Sequence, residues 1–256
     1  MNCKVGKYLD IQPKNGTQRV TPDKRIVGKA ALITGASSGL GRQLAILFSH
    51  SGHVILSGRN RNGLEETRKQ CYDPANTTIS FGDLRDGANV TQLVSFADLY
   101  SIRYLVCSAG EYRRGKILDD PFRESLLDMF QSNATATINL ISRVYPVLCR
   151  TAGSIIHINS IAGKGLSPDE AHYSASKFAV KGFLQSFRFE AREKGVRVLD
   201  VFPGAIQTPM CTDRPGYDKM MDSKEVAEAI YAAVNMNNTC LQTAQIEELH
   251  LGRFRV

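Results

Sequence analysis

Residues 34–41 read TGASSGLG and separate the apolar run AALIT (30–34) from the helical pattern GRQLAILFSHSG (41–52). The glycines at 35, 39 and 41 allow a tight turn and close approach of a backbone. The helix behind them would offer unpaired N–H groups to an anion at its N-terminus. Taken alone, the pattern could equally be a generic turn with a packed glycine. Between a first strand and a first helix, it favours a dinucleotide-binding turn.

The same alternation of strand and helix continues along the chain. Further apolar runs cover 53–58, 77–82, 103–110, 153–160, 196–204 and 246–251, with helical patterns between them. Most runs are apolar on both faces, as in strands covered by helices on both sides. The pattern predicts an α/β fold, a doubly wound Rossmann-type parallel sheet of about seven strands. It also predicts one long helix over 121–150 and Ser223 as the N-cap of the last helix.

Composition limits the classes of partner. The 256 residues, 43% of them hydrophobic, fit a basic extension (1–28) followed by a single domain (29–256). Six Lys/Arg against two Asp give the extension +4 of the net +7. A short basic tail is usually solvated, and no nucleic-acid motif accompanies it, so we expect no nucleic acid partner. No apolar run is long enough for a membrane span, and no secretory signal is evident.

The six cysteines show no paired zinc spacing, so we expect no metal site. Several of them sit inside apolar runs, such as Cys107 in YLVCSAG. We interpret them as reduced thiols of a cytoplasmic protein.

The end of the second strand bears on the type of dinucleotide. An NAD site usually has an acidic residue there for the ribose 2′-hydroxyl. None occurs between Gly52 and Gly63, and Arg59 stands there instead. Arginine suits a phosphate, Ser38 could add a hydroxyl and Arg42 further charge. A solvated surface arginine is the alternative, but we predict NADP(H).

Two Tyr-x-x-x-Lys matches occur, and only one lies in a helical pattern. Tyr173 and Lys177 open the periodic stretch YSASKFAVKGFLQSFRFEAREKG, whereas Tyr112 and Lys116 flank Gly115 and border no such run. Residues i and i+4 share a helix face, so the first pair can meet and the second is predicted to lie in a loop. His172 is better explained as a core or rim histidine than as a base.

Polar residues also follow the fifth and sixth strands. Ser160 follows the fifth, while Pro203 and Gly204 turn the chain after the sixth and Thr208 follows. Each alone is more simply a turn or cap residue. Their joint position, each at the carboxyl end of a strand, favours one ligand site.

Together these residues resemble the short-chain dehydrogenase/reductase family. The matching motifs are TGASSGLG, SAG (108–110), SNATAT with Asn133, Ser160, YSASK and PGAIQT, and they span 30–210. The resemblance implies a nicotinamide cofactor and a catalytic tetrad of Asn133, Ser160, Tyr173 and Lys177. In it, Lys177 also grips the nicotinamide ribose, and Asn133 holds a relay water. The chain departs from the family at Cys107 and Ser108, where two asparagines are usual. The predicted cofactor contacts are Gly35, Ser37, Ser38, Gly39, Leu40, Gly41, Arg59, Asp83, Leu84, Ser108, Ala109, Gly110, Tyr173, Lys177, Pro203, Gly204, Ile206 and Thr208.

The implied reaction is interconversion of a carbonyl and an alcohol by hydride transfer. Tyr173 would act as general acid or base, with a pKa lowered from about 10 by the cation of Lys177. Ser160 would hold the substrate oxygen. The alternative is a catalytically weak NADP(H)-binding regulatory or interaction protein on the same fold.

Two surfaces are expected to meet other molecules. Substrate contacts are predicted in residues 111–116, 164–172 and 208–222. The last segment carries an adaptable apolar set of Met210, Tyr217, Met220 and Met221. An anionic group of the substrate could meet Arg113, Arg114 and Arg214. The helices around Asn133 and after Tyr173 carry surplus apolar residues, which predicts a homodimer or homotetramer. Those residues are Phe178, Phe183, Phe187 and Phe189.

Overall fold

The computed structural model describes residues 30–119, 121–165, 168–239, 241 and 243–253 of the chain. The basic extension predicted at 1–28 lies outside the described residues, as do Cys3 and Cys240. The other cysteines, at 71, 107, 149 and 211, are free thiols. Within the described ranges, no helix combines the length and the apolar character needed to cross a bilayer.

Seven parallel strands form one sheet in the order β3-β2-β1-β4-β5-β6-β7. The sheet confirms the predicted doubly wound fold. The order reverses between β1 and β4, and ligands of such sheets bind beyond the strand ends at this point. The strands are β1 Ala31–Thr34, β2 Val54–Gly58, β3 Thr77–Phe81, β4 Tyr104–Cys107, β5 Ser154–Ile158, β6 Arg197–Pro203 and β7 Glu248–Leu251.

Helices cover both faces of the sheet and bury its apolar side chains in two cores. One core lies under α3, α5 and α6, and the other lies under α1, α2 and α7. Every residue of β1 and β5 is buried, as expected for central strands covered on both sides. The helices are α1 Gly39–Ser49, α2 Arg61–Gln70, α3 Gly87–Leu99, α4 Phe122–Met129, α5 Ala136–Thr151, α6 Ala171–Glu193 and α7 Ser223–Thr239.

The long helix predicted over 121–150 is interrupted in the middle. A π-helical segment, Phe130–Thr135, joins α4 to α5 and contains Asn133. Such segments insert one extra residue per turn and are common at functional sites. Pro146 lies inside α5. The π-helical turn directs the Asn133 side chain towards the carboxyl end of β4, where it contacts the residue after Gly110.

The predicted N-cap of α7 is wrong by one residue. The carboxylate of Asp222 accepts hydrogen bonds from the backbone N–H groups of Lys224 (2.8 Å) and Glu225 (3.0 Å). Ser223 is the first residue of the helix. Asp222 is the better cap because its charge also favours the positive end of the helix dipole.

Candidate active site

The glycine-rich turn after β1 is folded as a backbone cradle. Gly35 and Gly39 have φ of 69° and 52°, in the left-handed region that favours glycine. A Cβ at Gly35 would lie 2.8 Å from the backbone nitrogen of Ala109, so the turn packs directly on the chain after β4. Ser38 caps α1 without a side-chain hydrogen bond to the helix. The helix N-terminus therefore keeps donors to offer to an anion.

Residues 108–110 are fixed by Thr34, the last residue of β1. The Thr34 hydroxyl accepts hydrogen bonds from the backbone N–H groups of Ser108 (3.2 Å) and Ala109 (3.1 Å). Burial raises the pKa of the adjacent Cys107 thiol to about 12, so this cysteine stays neutral. Hydrogen bonds to Thr34 thus hold the end of β4 where Cys107 and Ser108 replace the two asparagines usual in the family.

These segments surround one cleft of about 500 Å³ at the carboxyl ends of the strands. Every residue predicted to contact a cofactor lines the cleft, from the glycine turn through Asp83 and Leu84 to Thr208. Thr208 packs on the turn, since a Cβ at Gly39 would lie 3.0 Å from the Thr208 side chain. Ser57 also lines the cleft, with a buried hydroxyl that has no partner among the described residues.

Arg59 lies at the end of the cleft beyond β2, as predicted, but it is paired with acidic residues. Its guanidinium forms an ion pair with Glu111 and approaches Asp83 at 3.6 Å. Arg85 holds the pKa of Asp83 below its usual value through a charged hydrogen bond. Glu111 comes from the loop after β4, so the sequence around β2 gave no sign of this pairing.

Arg42, considered as a second source of charge, supports the turn instead. Its guanidinium donates to the carbonyl of Ser37 (2.6 Å), to the carbonyl of Gly63 (3.3 Å) and to the Thr67 hydroxyl (3.0 Å). These bonds tie the glycine turn to α2.

Three of the predicted catalytic residues converge in the same cleft. Tyr173 and Lys177 lie one turn apart on the same face of α6, and Ser160 follows β5. The Ser160 hydroxyl lies close enough to act on the Tyr173 phenol, and it also accepts a hydrogen bond from the backbone N–H of Ala162 at 3.1 Å. The Lys177 ammonium lies 5.8 Å from the centre of the Tyr173 ring and donates to the carbonyl of Ile158 at 3.0 Å. Both Tyr173 and Lys177 are more than nine-tenths buried.

Burial dominates the protonation of these two residues. It raises the pKa of Tyr173 above the usual value, and the bond from Ser160 opposes this only in part. The lowering expected from Lys177 is therefore not seen. Burial also lowers the pKa of Lys177 to about 8, against the attraction of the Asp200 carboxylate. The phenol is thus protonated at neutral pH.

Asn133 holds the loop after β4. Its side chain accepts from the N–H of Glu111 (2.7 Å) and donates to the Glu111 carbonyl (2.9 Å) and the Ser176 hydroxyl (3.0 Å). Gly110 fits beneath it, because a Cβ there would lie 3.1 Å from the amide oxygen. The relay water implied by the resemblance stays a prediction.

The second Tyr-x-x-x-Lys match lies in a loop, as predicted, but its tyrosine reaches the site. The Tyr112 ring meets the Tyr173 ring edge-on at 5.0 Å, and its hydroxyl donates to the Glu170 carboxylate at 2.5 Å. Arg214 pairs with the same carboxylate at 3.1 Å and lies over the Tyr112 ring. Burial raises the pKa of Tyr112. This polar wall of Tyr112, Glu170 and Arg214 depends on residues 44 to 102 positions apart in the chain, which spacing alone could not connect.

The other residues predicted to contact a substrate lie in different places in the structure. Of the apolar residues in 208–222, Met210 lines the cleft, together with Cys211. Met221 instead pairs with Ile206 in an isolated bridge, and Met220 lines a separate surface hollow.

Two predicted anion-binding arginines are already paired. Arg113 meets Asp128 (3.1 Å) and Arg114 meets Asp169 (3.1 Å). His172 is a buried histidine packed on Phe122, consistent with the core interpretation.

The fold and the cleft define a class of protein, the doubly wound α/β proteins with a dinucleotide-type turn after β1. The profile of the short chain dehydrogenase family matches residues 29–216. The chain belongs to this family.

Curated relatives support the assignment. An uncharacterized oxidoreductase of Staphylococcus saprophyticus is 34% identical over 229 residues, covering 84% of this chain and 97% of the relative. The 3-oxoacyl-acyl-carrier-protein reductase of Rickettsia conorii is 35% identical over 198 residues, covering 74% and 77%.

Solved structures agree on the fold. A short chain dehydrogenase from Burkholderia cenocepacia, in complex with NADP, has a TM-score of 0.75 and 26% identity, with 89% of each chain covered. Carveol dehydrogenase from Mycobacterium avium, in complex with NAD, has a TM-score of 0.79 and 21% identity, with 90% of this chain and 98% of that chain covered. The second likeness speaks for the fold alone.

Proposed function

We propose that the protein is an NADP(H)-dependent oxidoreductase that interconverts a small-molecule carbonyl and an alcohol. The observation that carries this is the convergence of Ser160, Tyr173 and Lys177 in a cleft that also holds the glycine turn. A proton donor, a hydrogen-bonding hydroxyl and a cation at one strand edge form the minimal set for this chemistry.

The cleft suits a dinucleotide on physical grounds. Gly35, Gly39 and Gly41 let the backbone of the turn approach a ligand closely, and α1 offers its free N-terminus to a diphosphate. When bound there, the reduced nicotinamide would supply the hydride.

The protein's own groups would handle the proton. The Ser160 hydroxyl, which lies close to the Tyr173 phenol, binds the substrate oxygen. Tyr173, kept protonated by burial, gives its hydroxyl proton to the carbonyl oxygen and becomes a phenolate. Lys177, in its charged form, stabilises that phenolate. In oxidation the phenolate takes the proton back from the alcohol.

The preference for NADP(H) over NAD(H) rests on Arg59. The residue lines the cleft beyond β2, and no acidic residue of the β2 end replaces it. A guanidinium binds a phosphate more strongly than a hydroxyl. The Burkholderia structure was solved with NADP and the Mycobacterium structure with NAD, so the proposed preference depends on Arg59 and not on the comparisons.

Assembly into a homodimer or homotetramer belongs to the same proposal. Phe178 (44% exposed) and Phe189 (72% exposed) remain uncovered on α6. Phe183 and Phe187, predicted to be part of the same surplus, stack on each other and pack against the core instead. The four free thiols among the described residues support a cytoplasmic location.

A panel of ketones, aldehydes and alcohols, assayed with NADPH, NADH and their oxidised forms, tests the proposal. We expect turnover of at least one carbonyl with NADPH exceeding that with NADH. Tight NADPH binding without turnover of any compound, by a protein in which Tyr173→Phe changes nothing, would favour the regulatory alternative.

A further inference from the structure

A buried polar cluster lies directly beneath the catalytic residues, between the sheet and α6. It consists of His157 and Asn159 at the end of β5 and Asp200 on β6. His157 and Asp200 are register partners in adjacent strands. The Asp200 carboxylate accepts from His157 Nδ1 at 2.8 Å and from the Asn159 amide at 3.0 Å. All three side chains are at most 4% exposed.

The cluster touches the catalytic residues through Asn159. The Asn159 amide oxygen accepts from the backbone N–H of Ser160 at 3.0 Å, and its nitrogen lies 3.5 Å from the carbonyl of Lys177. Gly163 packs so closely on the amide oxygen that a Cβ there would collide with it. One side chain therefore fixes the start of the Ser160 loop and contacts the helix that carries the lysine.

Asp200 is the acidic member of the cluster, and its charge acts on the same lysine. Burial lowers the pKa of His157, so the imidazole is neutral and donates through Nδ1 without adding charge. The Asp200 carboxylate attracts the Lys177 ammonium and raises its pKa against the cost of burial. A carboxylate this deep is costly unless it is fully hydrogen-bonded and balanced by a cation.

We propose that Asp200, held by His157 and Asn159, is a positioning residue for Ser160 and for the ammonium of Lys177. This inference rests on the proposed function, since it concerns the same catalytic cleft. Asp200 touches neither the substrate nor the cofactor cleft, and it acts through Lys177 and Asn159.

The direction of the pH effect follows from the groups around Lys177. They are Asp200 on β6, His157 on β5, Cys107 on β4 and Tyr173 on the same helix. Cys107 and His157 are neutral at pH 7, so Asp200 supplies the negative charge. Without it, Lys177 would lose its proton at a lower pH, and turnover would fall at a lower pH.

The first test is an NMR titration of protein labelled with ¹³C at the lysine ε-carbons. The resonance missing from Lys177→Met identifies Lys177. We expect it to titrate about one pH unit lower, or more, in Asp200→Asn than in the parent. Asp98→Asn is the matched control, because it removes the same charge from an exposed ion pair with Arg150. A midpoint equal in Asp200→Asn and the parent overturns the inference.

The second test is the pH profile of kcat and of NADPH affinity in the same proteins. We expect the alkaline limb to move to lower pH in Asp200→Asn and to stay in place in Asp98→Asn. A purely structural role would lower activity evenly at every pH, and that result overturns the inference. If the parent itself neither binds NADPH nor turns over a carbonyl, the proposed function fails, while the NMR comparison still decides the link between Asp200 and Lys177.

If Asp200→Asn does not fold, two substitutions at His157 test the same inference. His157→Leu removes the donor to Asp200 without changing the charge, and His157→Asn keeps a nitrogen at the Nδ1 position. We expect kcat to fall about tenfold in His157→Leu and to recover in His157→Asn, with the Michaelis constant little changed. Equal activity of the two variants contradicts the inference.

Discussion

Replacing Glu111 by glutamine removes the carboxylate that pairs with Arg59, and we expect the variant to bind NADPH more tightly. The Arg59 side chain is 54% exposed, and that of Glu111 is 16% exposed. A pair this open contributes at most about 1 kcal/mol. NADPH must compete with that pair for the guanidinium, so releasing Arg59 should lower the Kd by up to about fivefold.

Fluorescence titration with NADPH and NADH at low and high salt is the assay. The gain should be specific to NADPH, because NADH has no 2′-phosphate, and should shrink at high salt. Glu66→Gln is the matched control, since its ion pair with Lys69 is exposed on α2, away from the cleft. In the opposite direction, Arg59→Asp should weaken NADPH binding by roughly ten- to hundredfold, from a charged hydrogen bond of about 1.5–3 kcal/mol. Equal tightening of both cofactors in Glu111→Gln would refute the reasoning.

Three further changes test other parts of the site and surface. Lys177→Met should stabilise the fold at pH 7, by on the order of 1–3 kcal/mol, because the depressed pKa means that the folded state pays to keep this lysine charged. That cost is fully present below pH 8 and disappears as the pH approaches about 10.5, the pKa of lysine in the unfolded chain. Urea unfolding should therefore show a larger free energy of unfolding for the variant at pH 7 and a smaller increase at pH 10. A variant that is less stable than the parent at pH 7 contradicts this. Tyr112→Phe removes the hydrogen bond to Glu170 but leaves Tyr173, the proposed proton donor, intact. Steady-state kinetics should therefore show a Michaelis constant changed by up to about tenfold and an unchanged kcat. A large fall in kcat would give Tyr112 a role in proton transfer. Light scattering at micromolar concentration should find a dimer or tetramer, with Phe178→Ser combined with Phe189→Ser weakening it; a monomeric parent excludes this assembly.

The parts of the site that the sequence predicted share one physical basis. The carboxyl ends of parallel strands meet at one edge of the sheet, so the residues that follow each strand were bound to come together. The glycine turn, Ser160 and Thr208 were predicted on this basis, and they line the same cleft. Tyr173 and Lys177 followed from the spacing of a single helix turn.

The remaining features depend on contacts between distant segments. Glu111 pairs with Arg59, and Asp200 pairs with His157 on the neighbouring strand. Both pairs join residues that are far apart in the sequence, so no local pattern predicts them. The π-helical turn at Asn133 reads as an ordinary helix, because one extra residue does not disturb the apolar spacing enough to be seen. The pKa of Tyr173 depends on burial, which only the folded protein defines.

The most direct measurement of the central claim is the turnover number of Tyr173→Phe with NADPH and a carbonyl accepted by the parent. A positioned general acid contributes roughly 10²–10⁴ to the rate, so kcat should fall by about that factor. The phenyl ring fills the same space, so NADPH should bind with nearly the parental Kd. Near-parental turnover by a Tyr173→Phe protein that binds NADPH would contradict the assignment of Tyr173 as the proton donor.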